Sequence, residues 1–173
     1  MHSVLTGKAF VYNNNIDTDQ IYPGRYLELV DPKDIAKHCM EGADPTFVER
    51  MSYGDIIVAG TNFGCGSSRE HAVIALISAG VSVVLAESFA RIFFRNSINL
   101  ALPLMVCPGI SKKVSNGDIL EVNLREGIVL NKTKREIIQG QKISEHAMNI
   151  LENGGIKHLF QIKTQKMHQE KSR

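Results

Sequence analysis

An α/β fold is predicted by three features of the chain. Two compact apolar runs, DIIVA at 55–59 and VSVVLA at 81–86, are each followed by a segment whose apolar residues recur at helical spacing. Glycine-, asparagine- and proline-rich stretches punctuate these runs at short intervals. The 173 residues, 43% hydrophobic and 22% charged, suffice for one substantial core and are short for two. No low-complexity linker or long-period repeat divides the chain. We therefore expect a single domain over residues 1–162, followed by a basic, frayed tail over 163–173.

Taken in order, SVLTGKAFVY (3–12) alternates as an opening strand, and NNNIDTDQIYPGRYLEL (13–29) reads mostly as loop. DPKDIAKHCM (31–40) has Asp31 as a cap, Pro32 at the first helical position, and Ile35, Ala36 and Cys39 or Met40 on one face, which predicts a short helix. DIIVA is a buried strand ending at Gly60. SSREHAVIALISAG (67–80) carries a helical stripe of Ala72, Val73, Leu76 and Ile77 and stops at Gly80. VSVVLA is a second buried strand, and SFARIFFRNSINL (88–100) a helix with Ser88 as its cap. PLMV, DILEVNL and IVLN read as later strands, the last two joined by a turn at Glu126 and Gly127. SEHAMNILENGG (144–155) closes as a capped helix.

Twenty basic against eighteen acidic residues leave a formal charge of +2, with four of the basic residues in the last eleven positions. The near-neutral body argues against nucleic-acid binding. No apolar run approaches the length of a bilayer span, and the start lacks a basic region followed by an apolar core. These features predict a cytoplasmic protein without membrane contact. Three widely spaced cysteines, Cys39, Cys65 and Cys107, offer neither a disulfide framework nor zinc-like pairing.

The segment GTNFGCGSSREHA (60–72) runs from the end of a strand through a glycine-rich turn into a helix starting near Ser67 or Ser68. Ligands of open α/β sheets bind at such places, because unpaired N–H groups and the positive helix end face outward there. The plainer alternative is that the glycines only allow a tight turn and the serines only cap the helix. GCGSS lacks the lysine of a nucleotide-binding loop, and Arg69 stands where a dinucleotide fingerprint needs glycine. Cys65 as a nucleophile would have a thiol pKa lowered by the helix dipole, but His71 sits about a turn into the helix, poorly placed as its base and better suited to packing. Cys65 and His71 are too few to hold a metal. A serine beside backbone donors and an arginine can instead act as a base toward a carbon acid, while the arginine grips a carboxylate.

GTNFGCGSSREHA, SFARIFFRNSINLALPLMV and NIDTDQIYPGRYL together closely resemble the small-subunit family of isopropylmalate isomerase type within the aconitase superfamily, over residues of about 3 to 160. The resemblance implies an aconitase-type swivel domain, layered β/β/α with a mixed, partly parallel sheet. It implies a hydro-lyase active only with a large subunit that carries a [4Fe-4S] cluster, none being bound by this chain alone. The partners would be that large catalytic subunit and a small dicarboxylate. By the same resemblance Ser67 is the general base, Ser68, Arg69, Thr18 and Asp19 bind substrate, and no residue of this chain binds metal. Tyr26, Leu27, Glu28 and Leu29 occupy the specificity loop. Related chains acting on homoaconitate-like acids resemble YLRT there, and isopropylmalate forms YLVY; this chain reads YLEL. A pocket-facing Glu28 would repel a third carboxylate and favour an alkylmalate, with dimethylmalate or citramalate as alternatives to isopropylmalate. Alternatively Glu28 faces solvent and Leu29 meets the alkyl group. A noncatalytic anion-binding module on the same fold is the alternative of a different class.

Overall fold

A computed structural model describes residues 2–171. Seven strands form one sheet in the order β4-β3-β2-β1-β5-β6-β7. They are β1 (Val4–Val11), β2 (Ile56–Ala59), β3 (Val83–Ala86), β4 (Leu104–Val106), β5 (Ile119–Asn123), β6 (Ile128–Asn131) and β7 (Glu136–Gln139). The helices are α1 (Thr18–Ile21), α2 (Pro32–Ala36), α3 (Phe47–Arg50), α4 (Glu70–Ala79), α5 (Arg91–Asn99), α6 (Ile110–Lys113), α7 (Glu145–Glu152) and α8 (Ile156–Lys171).

β1 joins two halves of different character. Its last three residues, Ala9–Val11, pair in parallel with Ile56–Val58, and β2, β3 and β4 continue that parallel set. Its first five, Val4–Lys8, pair antiparallel with β5, which leads on to β6 and β7. β2 and β3 are buried at every position, as parallel strands covered on both faces must be, which is why they read as unbroken apolar runs.

The two faces belong to different cores. Ile57, Ala59, Val84 and Ala86 pack against Ala72, Val73 and Leu76 of α4. Ile56, Val58, Val83 and Leu85 share the second core with Leu120, Val122, Val129 and Ile138 of the antiparallel half. The sheet curls back on itself, so sheet faces sheet on one side and helix on the other: the β/β/α layering.

A short recurrence in the sequence clamps the midpoint of β1. The lead-ins to β2 and β5 both read S-x-G-D-I, at 52–56 and 115–119, and both aspartates are 6% exposed. Asp55 accepts from the Ser52 and Lys8 N–H groups at 2.8 and 3.0 Å. Asp118 accepts from Ser115 N at 2.9 Å and Asn131 Nδ2 at 2.7 Å, while its carbonyl accepts from Ala9 N at 2.8 Å. Burial alone would raise the Asp118 carboxyl pKa, but the Ser115 N–H, the Asn131 amide and the Lys134 ammonium outweigh it and hold the carboxyl below its ordinary value. A depressed native pKa stabilises the fold above the unfolded value of about 3.9 and ceases to do so as pH falls through the native value. Asp118→Ala should cost about 2–3 kcal/mol at neutral pH, by stranding the buried Asn131 amide and the Ser115 N–H. Urea titrations should find that difference shrinking below about pH 4; a difference independent of pH would contradict the assignment.

Several local expectations change. The segment 13–29 contains α1, because Asp17 caps it and Gln20 returns the bond to the Asp17 N–H, a capping box. α4 begins at Glu70 with Arg69 at its N-cap, so Ser67 and Ser68 precede the helix instead of opening it. α5 has Ala90 at its N-cap; Ser88 accepts from Asn62 N at 2.8 Å and ties down the preceding loop. Residues 163–171, expected as a frayed end, continue α8 as an exposed helix, and residues 172–173 lie outside the described residues. Helices α3, α6 and α8 and strand β7 add to the elements that the sequence predicts. Among the described residues, no helix is long and apolar enough to cross a membrane.

Candidate functional site

The glycine-rich turn after β2 lies directly against the loop after β1. Gly64 N donates to Ile16 O at 2.7 Å, and Thr18 N to Cys65 O at 2.8 Å, closing a parallel bridge between Asp17 and Cys65. Gly64, with φ of 82°, and Gly66, with φ of 97°, take left-handed conformations that return the chain toward α1. At Gly66 a Cβ would lie 3.2 Å from Thr18 Oγ1, so a larger residue would crowd the hydroxyl.

This arrangement brings four of the sequence-derived residues together. Thr18, 3% exposed, places its Oγ1 3.3 Å from Ser67 Oγ, across 49 residues of sequence. Arg69 Nη1 donates to Asp19 Oδ1 at 3.2 Å, and Gly24 N donates to the same oxygen at 2.8 Å. The Gly24 N–H first, and the Arg69 guanidinium second, hold the Asp19 carboxyl below its ordinary pKa. Asp19 thus remains ionised and orients Arg69, which lies against Gly24. Ser67 and Ser68 are exposed. Ser68 is tied in through its backbone, its carbonyl accepting from Asn96 Nδ2 of α5 at 3.5 Å.

The loop at 26–29 divides. Tyr26 is half-buried and its hydroxyl donates to Glu41 Oε1 at 2.8 Å. Leu29 packs against the core cluster of the α4 face. Leu27 and Glu28 are exposed, which leaves the Glu28 carboxylate facing solvent in the isolated chain. Leu29 is thereby half-buried.

The cysteine and histidine take other roles. The His71 ring stacks on Tyr22, with centroids 5.9 Å apart and planes 12° off parallel. Partial burial first, and the Asp17 carboxylate second, raise the Cys65 thiol pKa, opposite to the lowering expected from a helix dipole. α4 starts five residues later, so Cys65 is not part of its first turn. Cys39 and Cys107 are buried in separate cores. Among the described residues no group of three or more His, Cys, Asp or Glu side chains could hold a metal ion. The cysteines therefore do not fit an iron–sulfur cluster, which needs several thiolates converging on one point.

Sequence reasoning missed Gly24, Asn96 and Glu41. Asn96 had a faint signal, since it falls one helical turn beyond Ile92 on the exposed side of α5. Gly24 and Glu41 had none, because their partners are set by tertiary contact.

The family model described as the aconitase C-terminal domain matches residues 44–108. The chain is 55% identical over 160 residues, 92% of its length and 94% of the relative's, to a protein named 3-isopropylmalate dehydratase small subunit 1 from Methanopyrus kandleri. It is 54% identical over 156 residues, 90% of its length and 93% of the relative's, to an isopropylmalate/citramalate isomerase small subunit from Methanocaldococcus jannaschii. A crystal structure described as 3-isopropylmalate dehydratase from Methanocaldococcus jannaschii superposes with a TM-score of 0.90 at 39% identity, covering 98% of this chain and 99% of that one.

Proposed function

The chain belongs to the small-subunit family of 3-isopropylmalate dehydratases, hydro-lyases of the aconitase superfamily, and from that premise we propose that it completes a two-subunit enzyme isomerising an alkylmalate. The observation that carries this reading is the 3.3 Å approach of the Ser67 and Thr18 hydroxyls beside the Asp19-oriented Arg69. Two loops bring hydroxyls and a guanidinium together there, with Ser67 and Ser68 exposed, an arrangement suited to a small carboxylic acid.

In the proposed reaction Ser67 Oγ, as the alkoxide, takes a proton from the carbon beside a substrate carboxylate and becomes the neutral hydroxyl. The C–H electron pair becomes the second bond of a carbon–carbon double bond as the hydroxyl leaves the neighbouring carbon. Water then returns across the double bond in the opposite sense, giving the positional isomer. Thr18, buried, would orient Ser67 through their hydroxyl contact. Arg69, turned by Asp19, binds a carboxylate with the guanidinium edge that faces away from Asp19, and Ser68 supplies a hydroxyl beside it. Among the described residues no ligand set fits a [4Fe-4S] cluster, which in this reading would be held by the large subunit and would supply Lewis-acid chemistry at the hydroxyl.

Isopropylmalate is the proposed substrate and citramalate the second candidate. Glu28 faces solvent in the isolated chain; if association with the large subunit encloses it beside the substrate, its charge would oppose a third carboxylate, since close like charges are costly when partly desolvated. The test is anaerobic reconstitution with the genomic large-subunit partner and iron, following the unsaturated acid by ultraviolet absorbance. Turnover of alkylmalates should exceed that of a tricarboxylate such as homocitrate by at least about tenfold in kcat/KM. A complex that forms yet turns over none of these acids would remove the catalytic reading.

A further inference from the structure

We infer that Glu41 is a positioning residue for substrate selection, holding the turn that links the 26–29 loop to Arg69; the inference rests on the function proposed above. Glu41 sits between α2 and α3 and gathers three donors from three residues. Arg25 Nη2 and the Tyr26 hydroxyl reach Oε1 at 2.6 and 2.8 Å, and His38 Nδ1 reaches Oε2 at 2.6 Å. The Tyr26 and His38 rings lie face to face, with centroids 3.6 Å apart and planes 13° off parallel. The Arg25 guanidinium covers the Tyr26 ring at 4.7 Å. Burial alone would raise the Glu41 carboxyl pKa, but His38, Tyr26 and Arg25 outweigh it and keep the carboxyl ionised and acceptor-only.

Glu41 is itself fixed by the backbone. Met40 N donates to Ile21 O at 2.7 Å and Gly42 N to Gln20 O at 3.0 Å, on either side of it. A Cβ on Gly42 would come within 2.6 Å of Gln20 Cα, so this segment lies flat against α1. The anchored turn, a 3-10 turn at Gly24–Tyr26, then reaches the site directly. Gly24 N holds Asp19, Asp19 holds Arg69, and Arg69 Nη1 would stand 3.1 Å from a Cβ at Gly24. A continuous chain of short polar contacts therefore runs from Glu41 through residues 24–26 to the arginine of the site. Nothing in it touches the reacting atoms, so its expected effect is on binding and selection.

The test combines Glu41→Gln with two readouts. In the isolated chain, amide exchange across residues 24–29 should be about tenfold faster than in the parent, with the protection of β2 and β3 unchanged. In the reconstituted complex, KM for isopropylmalate should rise about tenfold with kcat altered less than about threefold, and the ratio of kcat/KM for isopropylmalate over citramalate should move by at least about threefold. Tyr26→Phe, which removes one donor and keeps the ring stack, should shift both readouts in the same direction by less, and non-additively with Glu41→Gln. Unchanged exchange at 24–29 in both variants would overturn the anchoring, whatever the activity. Faster exchange with an unmoved substrate ratio would overturn the selecting role. Faster exchange in a chain whose parent complex turns over neither acid supports the anchoring and overturns the proposed function instead.

Discussion

Replacing Ser67 with alanine is expected to lower kcat of the reconstituted enzyme by about 10³-fold, the middle of the range that a positioned general base contributes. KM should move by less than about threefold, because the carboxylate partners Arg69 and Ser68 remain. The effect must be chemical, since Ser67 is exposed and precedes the helix, where loss of a hydroxyl costs the fold no more than about 0.5 kcal/mol. Initial rates of unsaturated-acid formation, with melting curves on the same samples, separate the two. A variant with parental kcat would take Ser67 out of the base role, and the hydroxyl pair with Thr18 would then be only a feature of the turn. A fall in kcat matched by a lower melting temperature would point to damaged packing.

The second large effect is structural. Gly64→Ala should destabilise the chain by about 2–5 kcal/mol, through a left-handed backbone cost of about 1–2 kcal/mol and an overpacking cost of about 1–3 kcal/mol. Gly64 has φ of 82°, and a Cβ there would fall well inside van der Waals contact with the Phe93 ring of α5. Phe93 is 3% exposed and in edge contact with Phe63, so it has little room to retreat. Gly117→Ala is the matched control: its φ is 87°, yet nothing lies within 4 Å of the added carbon. The control should lose only the backbone part, about 1–2 kcal/mol. For a chain of this size the gap of about 2 kcal/mol appears as roughly 4–8 °C in thermal unfolding. Equal losses at both positions would mean that the ring moves aside. Because Gly64 N also holds Ile16 O at 2.7 Å, the variant should lose turnover beyond its stability loss, as the two loops of the site separate.

The elements legible in the sequence were those whose signal is local. β2 and β3 are unbroken apolar runs because both faces are covered, and α4 has a helical stripe ended by Gly80 at φ of 98°. Asp31 and Ser144 cap α2 and α7 with their own side chains, accepting from Lys33 and Ala147. Ser88 looked the same in the sequence but was drawn away by Asn62, a competition no local rule contains. β7 was invisible for a related reason: Glu136–Gln139 has only two adjacent apolar residues and no alternation, and it becomes a strand because β6 offers it an open edge.

By itself the sequence determined the chemical inventory: the serines, the arginine, the left-handed glycines, the absence of grouped cysteines, and the α/β alternation. Only the tertiary structure decided that Thr18 and Ser67 would stand 3.3 Å apart across 49 residues, that Asp19 would turn Arg69, and that Glu41 would collect Arg25, Tyr26 and His38. Periodicity and capping act within a few residues of chain, so they are written in neighbouring letters. A side chain's distant partner depends on how the sheet curls and which loops it presses together, and that is a property of the whole packed core.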